Sequence, residues 1–355
     1  MLWFKYGLGV EAFSKRQAVS WQVAAALRPS RALAGGCPGS PDWGMPSGRI
    51  FMLHCADVFM LPRRHVFSAC GSIVLAMLFS NIGRGQLSDS ETAPRAPISF
   101  TINGQVFELR WIPAGDFVMG ATEQFKDRYK AVQPVRLTRG YWMGSTEMTW
   151  EQFHAALPDV ELPSQWDGPN MPVTKITWFE CVALCAKLNQ SQKRLIPAGY
   201  QFRPPTEAEW ERAARAGSTG DYAGDLDEMA WYDKTSGNRA HAVGLKKPNA
   251  YGLYDMHGNV WEWCYDKTYW VYDASKLAID PSGPNDYEPS AADIKHSPPT
   301  GHAHVYRSGQ YGQSAAVMAA ARRDGNRPIL RSNHIGFRLS LGPQLPMPVK
   351  TVPEK

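Results

Sequence analysis

Within nine residues, Asp255-Met-His-Gly-Asn-Val-Trp-Glu-Trp263, the chain gathers two carboxylates, an imidazole, a Gly-Asn turn and two tryptophans. Acids on either side of a turn can bring hard oxygens to a cation, or they can simply face water. The stretch is too polar for a plain core strand and too aromatic for a plain loop. Beside it stands an absence: no cysteine follows Cys264. A two-thiolate centre therefore cannot be built from residues 265–355. Upstream, Cys181 and Cys185 are spaced i, i+4 on a predicted helix and share one face. They read as two small buried hydrophobes rather than a redox pair. His302-Ala-His304 places two imidazoles on one face if extended, with His296 upstream. Such a pair can start a zinc, copper or iron site. No third ligand is evident, and solvated loop histidines are commoner.

These groups need elements to hold them. Thr149 with Gln152, Thr177 with Glu180, and Thr206 with Glu209 each form a capping box and predict three helix starts. The second helix runs to about Asn189, and Gly217 sits where a terminating glycine belongs after the third. Ile98–Ile102 and Val106–Leu109 alternate around Asn103-Gly104, a strong hairpin signal. Residues 86–97 are polar and proline-containing and read as a linker. Residues 278–303 read as a solvated insertion, Ile335–Leu339 as the last strand, and 344–355 as a Pro-rich tail.

The 355 residues, 44% hydrophobic and 20% charged, allow one large domain with extensions or two average ones. The 31 Gly, 27 Pro and 13 Trp point to short elements, many turns and a core packed around large rings. The net charge of +5 comes from the N-terminus: residues 1–85 hold nine Lys/Arg against three acids, leaving the remainder slightly negative. Nucleic acid is excluded as a partner because no basic face remains to meet phosphates. Met60-Leu-Pro-Arg-Arg-His and the apolar run Val66–Phe79 read as a secretory signal over 60–85, with Gly83-Arg-Gly85 as cleavage site before Gln86. The run is shorter than a membrane span of roughly 20 residues. A short membrane anchor is the alternative; otherwise the mature chain is exported to the periplasm, cell surface or medium with no stable membrane insertion. Residues 1–59 then read as a non-native or disordered extension. Export leaves three cysteines, hence at most one disulfide and at least one free thiol.

Several segments in this order resemble the sulfatase-modifying-factor family, whose founding activity is formylglycine generation. They are Trp111–Gly120, Thr146-Glu-Met-Thr149, Pro172–Trp178, Arg203-Pro-Pro-Thr-Glu-Ala-Glu-Trp-Glu-Arg-Ala-Ala-Arg-Ala-Gly217, Pro248–Trp263 and Asn333-His-Ile-Gly-Phe-Arg338. A collinear set over roughly residues 105–341 is far more specific than any single motif. The resemblance implies an α+β fold: one compact mixed domain over 105–343 with little regular structure, related to C-type lectins. It also implies structural calcium, with the ligand pattern falling on Asp255, Gly258, Val260 and Glu262. Family members that act on sulfatases oxidise a peptide cysteine to formylglycine with oxygen and copper held by two cysteines.

That pair does not carry over. The family's Arg-Gly-Gly-Ser-Trp reads Arg307-Ser-Gly-Gln-Tyr311 here, and the simplest alignment places Gln313 and Met318 at the two cysteine positions. Copper(I) selects soft thiolates, so copper is expected to be absent. Cys185 matches one half of a family disulfide, but Leu339 stands where its partner belongs. Relatives that use iron carry an extra histidine-bearing helical domain, whereas residues 1–100 contain only His54 and His65. Two functions remain open: an exported binding or structural module for a peptide, protein or glycan, and an oxidase that makes formylglycine through other ligands.

Overall fold

The computed structural model describes residues 89–120, 132–161, 168–268, 274–283 and 303–346. The expected N-terminal extension and signal, the tail beyond residue 346, and His296 and His302 lie outside them.

Asn103 and Gly104 take positive φ of 46° and 83°, the pattern that matches a two-residue turn to strand twist. They join β1 (Ile98–Ile102) to β2 (Gln105–Ile112), with Ile98 opposite Leu109. β2 then pairs β5 (Tyr141–Gly144), which pairs β12 (Ser340–Pro343), which pairs β6 (Tyr200–Arg203). A four-stranded sheet runs β10 (Arg323–Asn326), β9 (His304–Arg307), β7 (Trp261–Lys267), β11 (Ile335–Phe337). A smaller one joins β3 (Gly115–Gly120), β4 (Val132–Leu137) and β8 (Ala278–Ile279). The start of the expected insertion is thus a strand, parallel to β4. The expected last strand stops at Phe337, and Ser340–Pro343 forms one more.

All three capping boxes close, with hydroxyl and N3 side chain each taking a backbone N–H. A cap of this kind contributes about 1 kcal/mol. They start α2 (Trp150–Ala156), α3 (Trp178–Ser191) and α4 (Glu207–Arg215), while short turns form α1 (Asp89–Thr92) and α5 (Leu226–Met229). At the end of α4 it is Ala216 that turns left-handed, at φ 45°, with Gly217 following at 89°. α2 and α3 cover the five-stranded sheet through Phe153, Leu184 and Leu188 against Phe107, Leu109 and Phe202. α4 packs Trp210, Ala213 and Ala214 into a second core with Ile112, Tyr141, Cys264 and Val305.

Two expectations need correction. The stretch read as a linker is tied down from α1 onward. Trp111 and Trp142 donate their indole N–H groups to the carbonyls of Ala93 and Ala96 at 2.9 and 3.0 Å. Arg95 lies 4.4 Å over the Trp111 ring, and Glu91 accepts the Gly140 N–H at 2.9 Å. Second, Trp261-Glu262-Trp263, too polar to read as core, opens a strand in which every residue is buried. β7 sits between β9 and β11 in the sheet, so both its edges are paired, and its buried polar groups find partners inside.

Candidate functional site

The residues following β6 and those leading into β7 meet around a kinked loop. Asp255, Gly258 and Asn259 take positive φ of 58°, 99° and 57°. A Cβ on Gly258 would stand 2.2 Å from the Trp231 carbonyl oxygen, so no other residue fits there. Asn259 is wholly buried and acts as a hub. Its N–H donates to the Trp231 carbonyl at 2.8 Å, and its carbonyl accepts the Tyr311 N–H at 3.0 Å. Its side chain accepts from the His241 N–H at 2.9 Å and donates to the His241 carbonyl at 3.1 Å. The sequence marked this residue only as half of a turn. Its amide matters because a left-handed Asn can also satisfy two backbone groups of a neighbouring loop.

Asp255, Gly258, Val260 and Glu262 do lie on this one segment, but in different surroundings. Glu262 accepts Arg338 at 2.7 Å through Nη2 and 3.0 Å through Nε, and Trp210 Nε1 at 2.6 Å. Asp255 accepts the Gly244 N–H on Oδ2 at 2.7 Å, while its Oδ1 is buried with no partner. The Gly258 carbonyl accepts the Ser308 hydroxyl at 3.0 Å and keeps a second lone pair. Glu147, which the ligand pattern did not include, is buried beside them with Oε1 unpartnered. Burial raises the Glu147 carboxyl well above its ordinary value, and the Asp255 and Glu262 charges add to that. Burial also raises Asp255.

Three buried carboxylates share one guanidinium, Arg338, so two negative charges lack a counterpart. Protons or a divalent cation can supply it. The donor set fits calcium through the free Asp255 oxygen and the loop carbonyls, but Glu262 is turned to Arg338 and Trp210. Among the described residues, no three His, Cys, Asp or Glu side chains converge on a metal position. A cation here must rely on carbonyl oxygens and two carboxylates.

The segment at the expected cysteine positions holds no reactive pair. Gln313 turns back to accept the Gln310 N–H at 3.1 Å. Met318 is buried beside Ala230 and Tyr232, its thioether against Gly258 and Gly309. Cys181, Cys185 and Cys264 are all unpaired and wholly buried, and burial raises each thiol pKa. Thiolate character is what makes a cysteine react. Leu339 and Cys185 both belong to the first core. His304 is a core imidazole stacked 3.8 Å from Trp178, with burial lowering its pKa to about 3.

What the loop presents outward is aromatic. Half-buried Trp231 and His241 stack at 3.8 Å and 11°, with Lys246 Nζ 4.3 Å over the indole. Tyr311 meets His334 at 5.1 Å, and Asn259 ties the two pairs together. A separate cleft of about 210 Å³, lined by Val106, Leu109, Ser145, Met148 and Leu339 among others, includes none of the four calcium positions.

Fold and site define a mixed α+β domain with inward-facing thiols and a polar loop held by buried ion pairs. Residues 99–341 match the sulfatase-modifying factor enzyme 1-like domain, and the chain belongs to that family. It is 29% identical to the formylglycine-generating enzyme of Streptomyces coelicolor over 218 residues, 56% of this chain and 60% of that protein. It is equally similar, at 29%, to the enzyme of Thermomonospora curvata, over 50% of this chain and 57% of that protein. The chain thus spans less than two thirds of these curated relatives. Among solved structures, Treponema denticola variable protein 1 superposes with a TM-score of 0.58 at 27% identity, over 70% of this chain and all of that one. PvdO from Pseudomonas aeruginosa shares the fold, with a TM-score of 0.57 at 22% identity, over 70% of this chain and 99% of that one.

Proposed function

We propose that this chain is an exported binding module on the formylglycine-generating scaffold, without cysteine-oxidase activity. The observation that carries the reading is the state of the thiols: every cysteine of the domain is buried and unpaired. The segment aligned with the family's reactive pair offers a surface glutamine and a buried thioether instead. The half-buried rings of Trp231, His241, Tyr311 and His334 give a peptide, protein or glycan a surface of flat faces and polar edges. Fold alone does not assign activity, which belongs to the site.

The second reading, an oxidase using other ligands, is favoured by the similarity to enzymes named as formylglycine-generating. Incubating the purified protein with copper(I), oxygen and a Cys-x-Pro-x-Arg peptide separates the two. The peptide mass is expected to stay unchanged; copper-dependent conversion of the thiol to an aldehyde refutes the binding-module reading.

Calcium belongs to the proposal as a structural ion at the Asp255–Glu262 loop, where it would fix the loop that carries the aromatic rim. An ion that binds only the folded state adds about 2.7 kcal/mol at a hundredfold excess over Kd. Melting with calcium and with a chelator measures this, and identical midpoints remove the ion from the proposal. Export is tested by N-terminal sequencing from the native host. The expected mature start is Gln86, and a chain retaining residues 1–59 contradicts it.

A further inference from the structure

The segment ahead of β1 is held as a bound peptide is held. Ala93 and Ala96 each precede a proline, which drives both toward extended or polyproline II backbone, and the rings of Pro94 and Pro97 fix their own φ. Polyproline II has three residues per turn and no internal hydrogen bonds. Carbonyls three residues apart therefore face the same way and are free to accept from outside. The two that accept here have that spacing. Trp111 Nε1 donates to the Ala93 carbonyl at 2.9 Å, and Trp142 Nε1 to the Ala96 carbonyl at 3.0 Å.

Trp111 of β2 and Trp142 of β5 stand opposite each other with ring centroids 4.4 Å apart, and Tyr200 of β6 meets the Trp142 ring at 5.8 Å. All three rings are buried. Between the two accepting carbonyls, the Arg95 guanidinium lies 4.4 Å from the centre of the Trp111 ring and 5.7 Å from that of Trp142. An indole face attracts a cation placed over it. The floor leaves room for the ring: a Cβ on Gly140 would stand 2.1 Å from the Trp111 indole. Ala93, Pro94, Ala96 and Pro97 stay exposed, while Arg95 is half-buried. The rings thus read two carbonyls and one cation, and the prolines act by stiffening the segment, which lowers the cost of ordering it. Glu91, outside the Pro-x-x-Pro run, fastens its upstream end. Its carboxylate accepts the Gly140 N–H at 2.9 Å, and its carbonyl accepts the Ala114 N–H at 3.0 Å.

Aromatic grooves that dock a preformed polyproline II segment are a recurring mode of peptide recognition. We propose that Trp111 and Trp142, backed by Tyr200, form such a groove, that Ala93-Pro94-Arg95-Ala96-Pro97 fills it in cis, and that this strap shuts it against a partner's proline-rich peptide bearing an arginine between its prolines. A short tether holds the strap at an effective concentration of about millimolar, so a partner enters only where the strap is displaced. The groove shares no residue with the Trp231, His241, Tyr311 and His334 rim, and its fate does not bear on the binding surface proposed there.

The test uses the full chain and a fluorescent peptide, Thr-Ala-Pro-Arg-Ala-Pro-Ile, followed by polarisation. Proton exchange at the two indole N–H groups, read by NMR, reports whether the groove is filled. In the wild type both indoles should be protected and the peptide should bind weakly. The triple variant Pro94→Gly, Arg95→Ser, Pro97→Gly is expected to expose both indoles and to bind the peptide about tenfold more tightly, with the peptide restoring protection. A peptide with glutamate in place of its arginine should bind that variant about fivefold more weakly or worse. Adding Trp142→Phe, which keeps a ring and removes the donor, should also weaken binding.

A folded triple variant whose indoles are exposed but which takes no peptide overturns the proposal. So do indoles that stay protected in that variant, since the groove then selects neither proline nor arginine. A wild-type dimer that the peptide dissolves shows the strap of a second copy in the groove and overturns a partner as its occupant. Where circular dichroism shows the triple variant unfolded, Arg95→Ala alone decides: faster indole exchange with partial entry of the peptide is expected, and no change in either overturns the proposal.

Discussion

Arg338 and Glu262 form a fork in which neither side chain has any exposed surface, with Nη2 to Oε1 at 2.7 Å. The remaining guanidinium N–H groups donate to the carbonyls of Gly144 at 3.0 Å and Tyr254 at 2.8 Å. One side chain thus joins the end of β5, the loop before Asp255 and the start of β7. Each of its four acceptors sits where a planar donor reaches it and a point charge does not.

Removing one member of such a pair leaves a buried charge alone. Arg338→Met is expected to cost about 3–5 kcal/mol of stability, read from urea denaturation. Arg338→Lys should recover little of it. A loss under about 1 kcal/mol, the worth of an exposed pair, means that the fork is not the anchor described.

Gly258→Ala tests the loop rather than the charges. A Cβ would meet the Trp231 carbonyl at 2.2 Å, and the φ of 99° is strained for any side chain. Strain at one such residue costs about 1–3 kcal/mol, with overpacking added. The variant should unfold at lower denaturant and lose the Trp231–His241 stack, visible as a change in tryptophan fluorescence. An unchanged midpoint shows that the loop yields.

Ser308 stands in a left-handed position, φ 97°, and its hydroxyl donates to Gly258 and Asp255 carbonyls at 3.0 and 3.3 Å. Ser308→Ala keeps the strain and loses those bonds, so it should cost about 1–2 kcal/mol. Ser308→Gly loses the bonds but relieves the strain, so it should be the milder variant. Thermal melting orders them, and a reversed order rejects the account.

The sequence made the helix starts legible because a capping box is local: Thr177 and Glu180 meet three residues apart wherever the helix goes. The Asn103-Gly104 hairpin was legible for the same reason. The burial of β7 was not, since Glu262 and Asp266 look like solvent-facing residues until Arg338 and the Glu207 N–H are placed beside them. Nor was the docking of the segment before β1, which depends on two indole N–H groups finding carbonyls 18 and 46 residues away. Glu147 is the same case at the site. No spacing rule links it to Asp255, and only the fold brings the two carboxyls together.

Two buried groups set opposite pH trends. His304 is held neutral, its pKa lowered by burial to about 3, with the Lys267 charge adding to that. Its stabilising contribution is complete above the unfolded value near 6.5 and is lost as pH falls toward 3. Burial, then the Glu207 charge, raises Asp266 to about 7. Its contribution is complete below the unfolded value near 4 and is lost as pH rises through 7. His304→Phe, which keeps a ring against Trp178, should gain on the wild type in melting temperature as pH falls from 7 to about 4.5. A constant offset across that range shows that His304 does not titrate on unfolding.

The final prediction concerns whether the family's chemistry can be put back. The double variant Gln313→Cys, Met318→Cys restores two thiols at the aligned positions, yet it should not bind copper(I) as a pair or convert a cysteine peptide. Residue 313 is part of a surface turn closed by Gln310, whereas residue 318 is wholly buried. A thiol in the Met318 slot would be held protonated by burial, as Cys264 is, and copper needs the thiolate. Shortening the side chain there also opens a gap between Gly258 and Gly309, where Met318 now packs, so the variant should melt below the wild type. Copper(I) titration against a chelating dye should show no tight site, and the peptide should keep its mass. Tight copper binding with aldehyde formation would instead show that two thiols were all the scaffold lacked.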